Sequence, residues 1–112
     1  MIAYMIRMDD DRVFKALADN SRRQLLDRLH TENGQSLTRL CEGLAMSRQA
    51  VTKHIAILEA ANLIATRKQG RERLHYINPI PIQQIARRWV EKYETAGLDA
   101  LLDLKHQLEG DT

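Results

Sequence analysis

Residues 36–77 read SLTRLCEGLAMSRQAVTKHIAILEAANLIATRKQGRERLHYI, and the order of elements in that stretch decides the fold. Ser36 is placed to accept a hydrogen bond from the free N–H groups of a helix start, and apolar Leu37, Leu40, Cys41 and Leu44 follow at helical spacing. Ala45-Met46 makes a tight turn, and Ser47 caps a second helix. That helix turns Ala50, Val51, Ile55, Leu58 and Ala61 inward and leaves Arg48, Gln49, Thr52, Lys53 and Ala56 on the opposite face. Asn62 closes it, because asparagine tolerates the left-handed conformation found at helix ends. Two short alternating stretches come next, Leu63 to Lys68 and Arg73 to Ile77, joined across Gln69-Gly70-Arg71-Glu72. This is the pattern of a β-hairpin with Gly70 in its turn. A lone hairpin is marginal in water, so it has to pack on the helices, and Ile64, Leu74 and Tyr76 are expected to do so.

Outward from this stretch the chain is helical on both sides. Asp9–Asp11 are expected in a first turn, where carboxylates suit the positive end of a helix dipole, ahead of Val13, Phe14, Leu17 and Ala18 on one face. Asp19-Asn20-Ser21 is a cap cluster for a further helix with Leu25, Leu26 and Leu29 inward, ended by Asn33-Gly34. After the hairpin, Pro79 and Pro81 start a long terminal helix. Its apolar residues fall at Ile82, Ile85, Trp89, Tyr93, Ala96 or Gly97, Leu101, Leu104 and Leu108, steps of three and four over about seven turns. A seam of that length requires a partner surface, and Gly97 within it costs about 1 kcal/mol of helix propensity. The fold class is therefore mainly α with one small hairpin, in the order α-α-α-α-β-β-α, as a single domain over residues 1–112.

Composition narrows the function. No apolar run approaches the 18 to 20 or so residues that span a bilayer, and the start MIAYMIRMDDD lacks the pattern of a signal peptide. The single cysteine, Cys41, has no partner for an internal disulfide, which fits a reducing cytoplasm. There is no Gly-rich phosphate loop, no Gly-x-Ser-x-Gly and no His-Glu-x-x-His, so no enzyme class is indicated and no cofactor is expected. Charge is the positive signal. From Ser47 to Tyr76 six basic residues stand against two acidic ones, a local +4 in a chain of net +2, which leaves −2 for the rest. Positive charge concentrated beside an exposed polar helix face is the footprint of a surface that grips phosphates.

With these elements placed, the stretches VFKALADNSRRQLLDRL, SRQAVTKHIAILEAANLI and RKQGRERLHYI, in that order, resemble the bacterial ArsR/SmtB-type transcriptional repressors. The resemblance covers Val13 to Tyr76 and implies a winged helix–turn–helix, with residues 36–60 as the helix–turn–helix and 63–77 as the wing. It further implies a homodimer built from segments 1–18 and 79–108, binding an inverted repeat in double-stranded DNA and released by a signal whose nature is unknown. Val13, Phe14, Leu17, Ile85, Trp89, Tyr93, Leu101, Leu104 and Leu108 are the expected dimer contacts. The tail IARRWVEKYETAGLDALLDLKHQLE resembles a subgroup in which an aromatic residue is more usual near Ala96-Gly97, and this chain lacks it. Two alternatives are weaker. MarR-like regulators that sense small organic molecules are generally longer, and a winged-helix protein-interaction module would not need the basic wing.

Within that frame each polar residue has an expected role. Arg48 and Gln49 near the helix start reach base edges, arginine suiting guanine and glutamine adenine. Ser47 and Thr52 bind phosphate, and Lys53 contacts the backbone. His54 either touches phosphate or is a half-buried structural histidine. Arg67, Lys68, Arg71 and Arg73 flank the wing turn and are expected on phosphates or in the minor groove. Cys41, alone where metal-sensing relatives carry two thiols, is read as a buried packing residue. Asp99, Asp103 and His106 fall at helical spacing, but a solvated face is the better reading, so no metal site is expected. His30 and His75 receive no role, and Arg22-Arg23, Arg39 and Arg87-Arg88 are read as isolated surface charges.

Overall fold

The computed structural model describes residues 2–110, and the side chains of all of these except residues 2–9 and 94–96. Five helices and one hairpin follow in the order α1 (Ile2–Leu17), α2 (Asn20–Thr31), α3 (Leu37–Cys41), α4 (Arg48–Ala60), β1 (Ile64–Gln69), β2 (Glu72–Ile77) and α5 (Ile80–Gly110). The chain forms two compact units, one ending at Pro81 and one beginning at Ile82.

The first unit holds a core drawn from α1 to α4 and from the foot of the wing. Leu25 and Leu29 of α2, Leu40 of α3, Val51 and Leu58 of α4, and Leu63 are fully buried, with Val13 and Ala16 of α1 closing one side. Each buried leucine contributes about 1.5–3 kcal/mol relative to exposure, so the four helices are held by this shared interior and not by their own propensity. Caps set the helix starts where the sequence places them. Asp19 accepts from the N–H of Ser21 at 2.8 Å and of Arg22 at 3.3 Å, Ser36 accepts from Arg39 at 3.3 Å, and Ser47 accepts from Ala50 at 3.1 Å. Asn62, at φ 62°, takes the left-handed conformation that ends α4.

Several boundaries differ from expectation. Helix α1 begins at Ile2, so Asp9–Asp11 lie well inside it and not in its first turn, and Ala18 is exposed just beyond its end. Helix α2 stops at Thr31 with Glu32 in extended conformation, ahead of Asn33-Gly34, because Gln35 Nε2 reaches back to the carbonyls of Arg28 (3.0 Å) and Glu32 (2.6 Å). Helix α3 is only five residues long, which leaves Leu44 in the following turn. Cys41 and Ala50 are half-buried, where both were expected inside.

The hairpin pairs Ile64 with Ile77, Thr66 with His75, Arg67 with Leu74 and Lys68 with Arg73. Gly70, at φ +64°, occupies the first position of the two-residue turn, where a positive φ suits the type II′ geometry that strand twist favours. Strand alternation puts Ile64, Thr66 and His75 on one face and Leu74 and Tyr76 on the other, so Leu74 and Tyr76 are half-buried on the far side from Ile64. His75, which has no role in the sequence reading, is 6% exposed and central to the wing's attachment. Its N–H donates to the Gln35 carbonyl at 2.8 Å, the Gln35 N–H donates to its carbonyl at 3.1 Å, and its Nδ1 lies 2.9 Å from the same Gln35 oxygen. Gln35 thus extends the hairpin by one bridge of a third strand. At the foot, Asn33 Oδ1 accepts from the Ile77 N–H at 2.9 Å, and Asn78 Nδ2 donates to the Asn62 carbonyl at 2.9 Å.

The second unit is the greater part of α5, a helix of 31 residues and therefore about 46 Å long. Trp89, Tyr93, Leu101, Leu104 and Leu108 are all exposed on it, joined by Val90, Leu98 and Leu102, which widen the apolar stripe beyond the expected seam. Trp89 and Tyr93 pack with their rings tilted by 42° at a centroid distance of 5.6 Å. The helix runs unbroken through Gly97, and the expected alternative seam position Ala96 lies outside the described side chains. Among the described residues no helix is long and apolar enough to cross a membrane.

Candidate nucleic-acid interface

Helix α4 presents its polar face as the sequence predicts: Arg48, Gln49, Thr52, Lys53 and Ala56 are all exposed, opposite buried Val51, Ile55 and Leu58. Because Ser47 caps through its oxygen, its own O–H proton points away from the cap and is available to an outside acceptor. Arg48 Nη1 donates to Thr38 Oγ1 at 3.2 Å, tying the two helices of the motif together across their turn. Thr52 Oγ1 donates to the Arg48 carbonyl at 2.9 Å, so in this rotamer it offers only an acceptor outward and must rotate to bind phosphate.

His54 is half-buried, with Nδ1 3.4 Å from Arg22 Nη1. Arg22 is no isolated charge, contrary to the sequence reading. Its guanidinium donates to the carbonyls of Ala16 (2.7 Å) and Lys15 (3.0 Å), satisfying the C-terminal end of α1, and lies 3.9 Å from Asp19 Oδ2. One side chain thereby joins α1, the start of α2 and the middle of α4. Arg23 likewise donates to the Leu17 carbonyl at 2.6 Å, and Arg39 pairs with Glu32 at 2.7 Å. Loss of hydration pushes the Asp19 carboxyl up, but the N–H donors of Arg22 and Ser21, with the charges of Arg22 and His54, hold it below the ordinary carboxylate range.

The wing cations are all exposed but do not share one face. Lys68 and Arg73 are cross-strand partners on the side of Thr66 and His75, Arg67 lies on the opposite side with Leu74, and Arg71 sits at the tip. The Lys68–Arg73 face is the one turned to α4, because Thr66 Oγ1 donates to Glu59 Oε1 of α4 at 2.7 Å. Between them lies a cleft of about 550 Å³, lined by Thr38, Arg48, Thr52 and Glu59 on the helix side and by Arg71, Glu72, Arg73 and His75 on the wing side. Two like charges directly opposite on a hairpin repel. Among the described residues, none of Arg48, Lys53, Arg67, Lys68, Arg71 and Arg73 is paired with a carboxylate. The helix face and the wing therefore carry cations that no ion pair neutralises, with Glu59 and Glu72 as the carboxylates in the cleft.

Thr38, Glu59, Arg22 and Gln35 are contributors the sequence did not single out. Thr38 and Glu59 act through partners ten and seven residues away, and Arg22 and Gln35 also through His54 and His75, 32 and 40 residues away, spacings that no helix or strand repeat marks. Among the described residues no three His, Cys, Asp or Glu side chains lie close enough to hold a metal ion, and Asp99, Asp103 and His106 are simply exposed on α5.

Comparison with known proteins fits this geometry. A family model described as a helix-turn-helix domain matches residues 17–67. The uncharacterized HTH-type transcriptional regulator YuzN of Bacillus subtilis is 34% identical over 87 residues, 72% of this chain and 95% of that protein. An ArsR-like transcriptional regulator from Rhodococcus sp. RHA1 superposes with a TM-score of 0.72 at 31% identity, covering 91% of this chain and 93% of its own. A homodimeric winged helix-turn-helix DNA-binding domain from Mycobacterium bovis, a possible ArsR-family regulator, shares the fold at a TM-score of 0.65 and 22% identity, over 82% of this chain and 85% of its own. The capped α3–α4 pair, the basic wing beside it and these relatives lead to one conclusion: the chain belongs to the ArsR family of winged helix–turn–helix transcriptional regulators.

Proposed function

We propose that this regulator is a cytoplasmic homodimeric repressor that binds an inverted-repeat operator and is released by a signal, acting by binding and not by catalysis. The observation that carries the proposal is the set of six exposed, unneutralised cations on α4 and the wing. Helix α4 enters the major groove with Arg48 and Gln49 toward base edges, while Ser47 and Lys53 fix its register on phosphates. The adjoining strand of DNA runs along the cleft between α4 and the wing, gripped by Arg71 and Arg73 of its lining and by Lys68, the cross-strand neighbour of Arg73. Dimerisation follows from α5, whose exposed Trp89, Tyr93, Leu101, Leu104 and Leu108 form an apolar stripe of the kind that marks an association surface. Phe14, exposed, and Leu17, half-buried, are the contribution of α1, while Val13 and Ile85 are already buried within the single chain and have little surface left to give a partner. Two such reading heads on a two-fold axis require half-sites about 10 base pairs apart or slightly more.

A mobility shift on the promoter region of the protein's own gene, run at two salt concentrations, tests the reading. Binding at low salt that weakens steeply at high salt is expected; no shift at low salt contradicts it.

A further inference from the structure

We infer that the groove between α1 and the C-terminal end of α4 binds a small anionic amphiphile, an organic carboxylate with a short apolar tail. The groove measures about 590 Å³, within the roughly 300–1,000 Å³ usual for small-molecule sites. Its floor is apolar: Ala16 and Ala61 are buried, and Ile57 stands 43% exposed beside them although it is a large aliphatic side chain. Its charged lining is of one sign, with Arg12 and Lys15 three residues apart on one face of α1 and the Arg22 guanidinium at the end. Among the described residues no carboxylate lines it. An apolar floor beside Arg12 and Lys15, with Arg22 at the end (3.9 Å from Asp19), is complementary to a ligand with one anionic head and an aliphatic body, and it lacks the polar edges a nucleotide base would need.

The site has a route to the reading head. Arg22 is the side chain that satisfies the Lys15 and Ala16 carbonyls of α1 and touches His54 of α4. A carboxylate that draws this guanidinium toward the groove takes it from His54 and loosens the seat of α4 against α1. Ligand and DNA then oppose each other, each lowering the other's affinity by the same factor. This regulatory consequence rests on the DNA-binding function proposed above; the site itself does not.

Octanoate, below its micelle concentration, is titrated calorimetrically into the full-length protein, with octyltrimethylammonium as the opposite-charge control. Saturable binding of octanoate alone, one per chain, is expected, weakened about tenfold or more in Lys15→Glu and in Ile57→Glu. Thermal unfolding of both variants confirms that they remain folded. Absence of saturation, equal binding of the cationic amphiphile, or unchanged affinity in both folded variants overturns the site. In a second arm, octanoate is added to the protein–DNA complex, where a loss of about fivefold or more in DNA affinity is expected. Octanoate binding with unchanged DNA affinity overturns the regulatory consequence. Failure to bind DNA without octanoate overturns the proposed function, while the calorimetry on free protein still decides the site.

Discussion

Single side chains carry the sharpest expectations. The register of the wing separates its cations: Arg73 and Lys68 face α4, whereas Arg67 faces away with Leu74. Arg73→Ala should therefore lower the slope of log affinity against log salt by about 1, as expected for one lost phosphate contact, and Arg67→Ala should lower it less. Fluorescence anisotropy across a salt series checks this, and equal slopes would show that the hairpin face is irrelevant. Arg48→Ala should cost about 1–3 kcal/mol on the cognate site and relax base preference at one position of each half-site, read by competition with mutated operators. Asp19 offers a pH test. Its folded carboxyl titrates below the unfolded value of about 3.9, so the cap's contribution is fully present above that value and is lost as pH falls through the folded one. Asp19→Asn keeps an acceptor oxygen but not the titration, so its melting temperature should fall less than wild type between pH 7 and pH 3. Caps such as Asp19, Ser36 and Ser47 were readable in the sequence because their partners lie two or three residues away. The contacts of Arg22 with His54 and of His75 with Gln35 were not, because those partners lie 32 and 40 residues distant and meet only once the chain has folded.

At the level of elements, the position of α4 depends on how tightly its inner face is held. Leu58 is fully buried there, and Leu58→Ala should destabilise the protein by about 2–5 kcal/mol in chemical denaturation. The wing depends on its foot. Gly34 has a φ of +77°, and a Cβ there would stand 2.9 Å from Tyr76 Cε1. Gly34→Ala should therefore cost at least about 1 kcal/mol and weaken DNA binding beyond what an equally stable variant elsewhere loses. Helix periodicity located α2 and α4 in the sequence because one face of each is apolar over three turns. The hairpin's faces were harder, because apolar Ile64, Leu74 and Tyr76 look equivalent until the register is known. Pairing Ile64 with Ile77 puts Leu74 and Tyr76 on the far side and brings His75 inward. The start of α1 is obscured for a related reason: Asp9–Asp11 resemble a first turn, yet the helix continues before them to Ile2.

For the whole molecule, the single chain leaves a long apolar stripe on α5 exposed, and the proposed dimer is what covers it. The double substitution Leu101→Glu and Leu104→Glu should leave the first unit folded while converting a dimer to a monomer in sedimentation analysis. A dimer that survives both charges would place the interface elsewhere. The spacing of those leucines was legible in the sequence, since steps of three and four sustained over seven turns trace one continuous helix face. The additional width of the stripe, from Val90, Leu98 and Leu102, was not, because only the folded chain shows which side chains remain uncovered. What the molecule does rests finally on the unneutralised cations of α4 and the wing. The direct test is the affinity of the full-length protein for a palindromic fragment of its own promoter, measured by anisotropy at two salt concentrations for wild type and for the Arg48→Ala, Arg73→Ala double variant. Specific binding that falls steeply with salt, and a double variant that loses both affinity and slope, is the predicted result. A wild type that does not bind at low salt, or a double variant that binds as well as wild type, would contradict it.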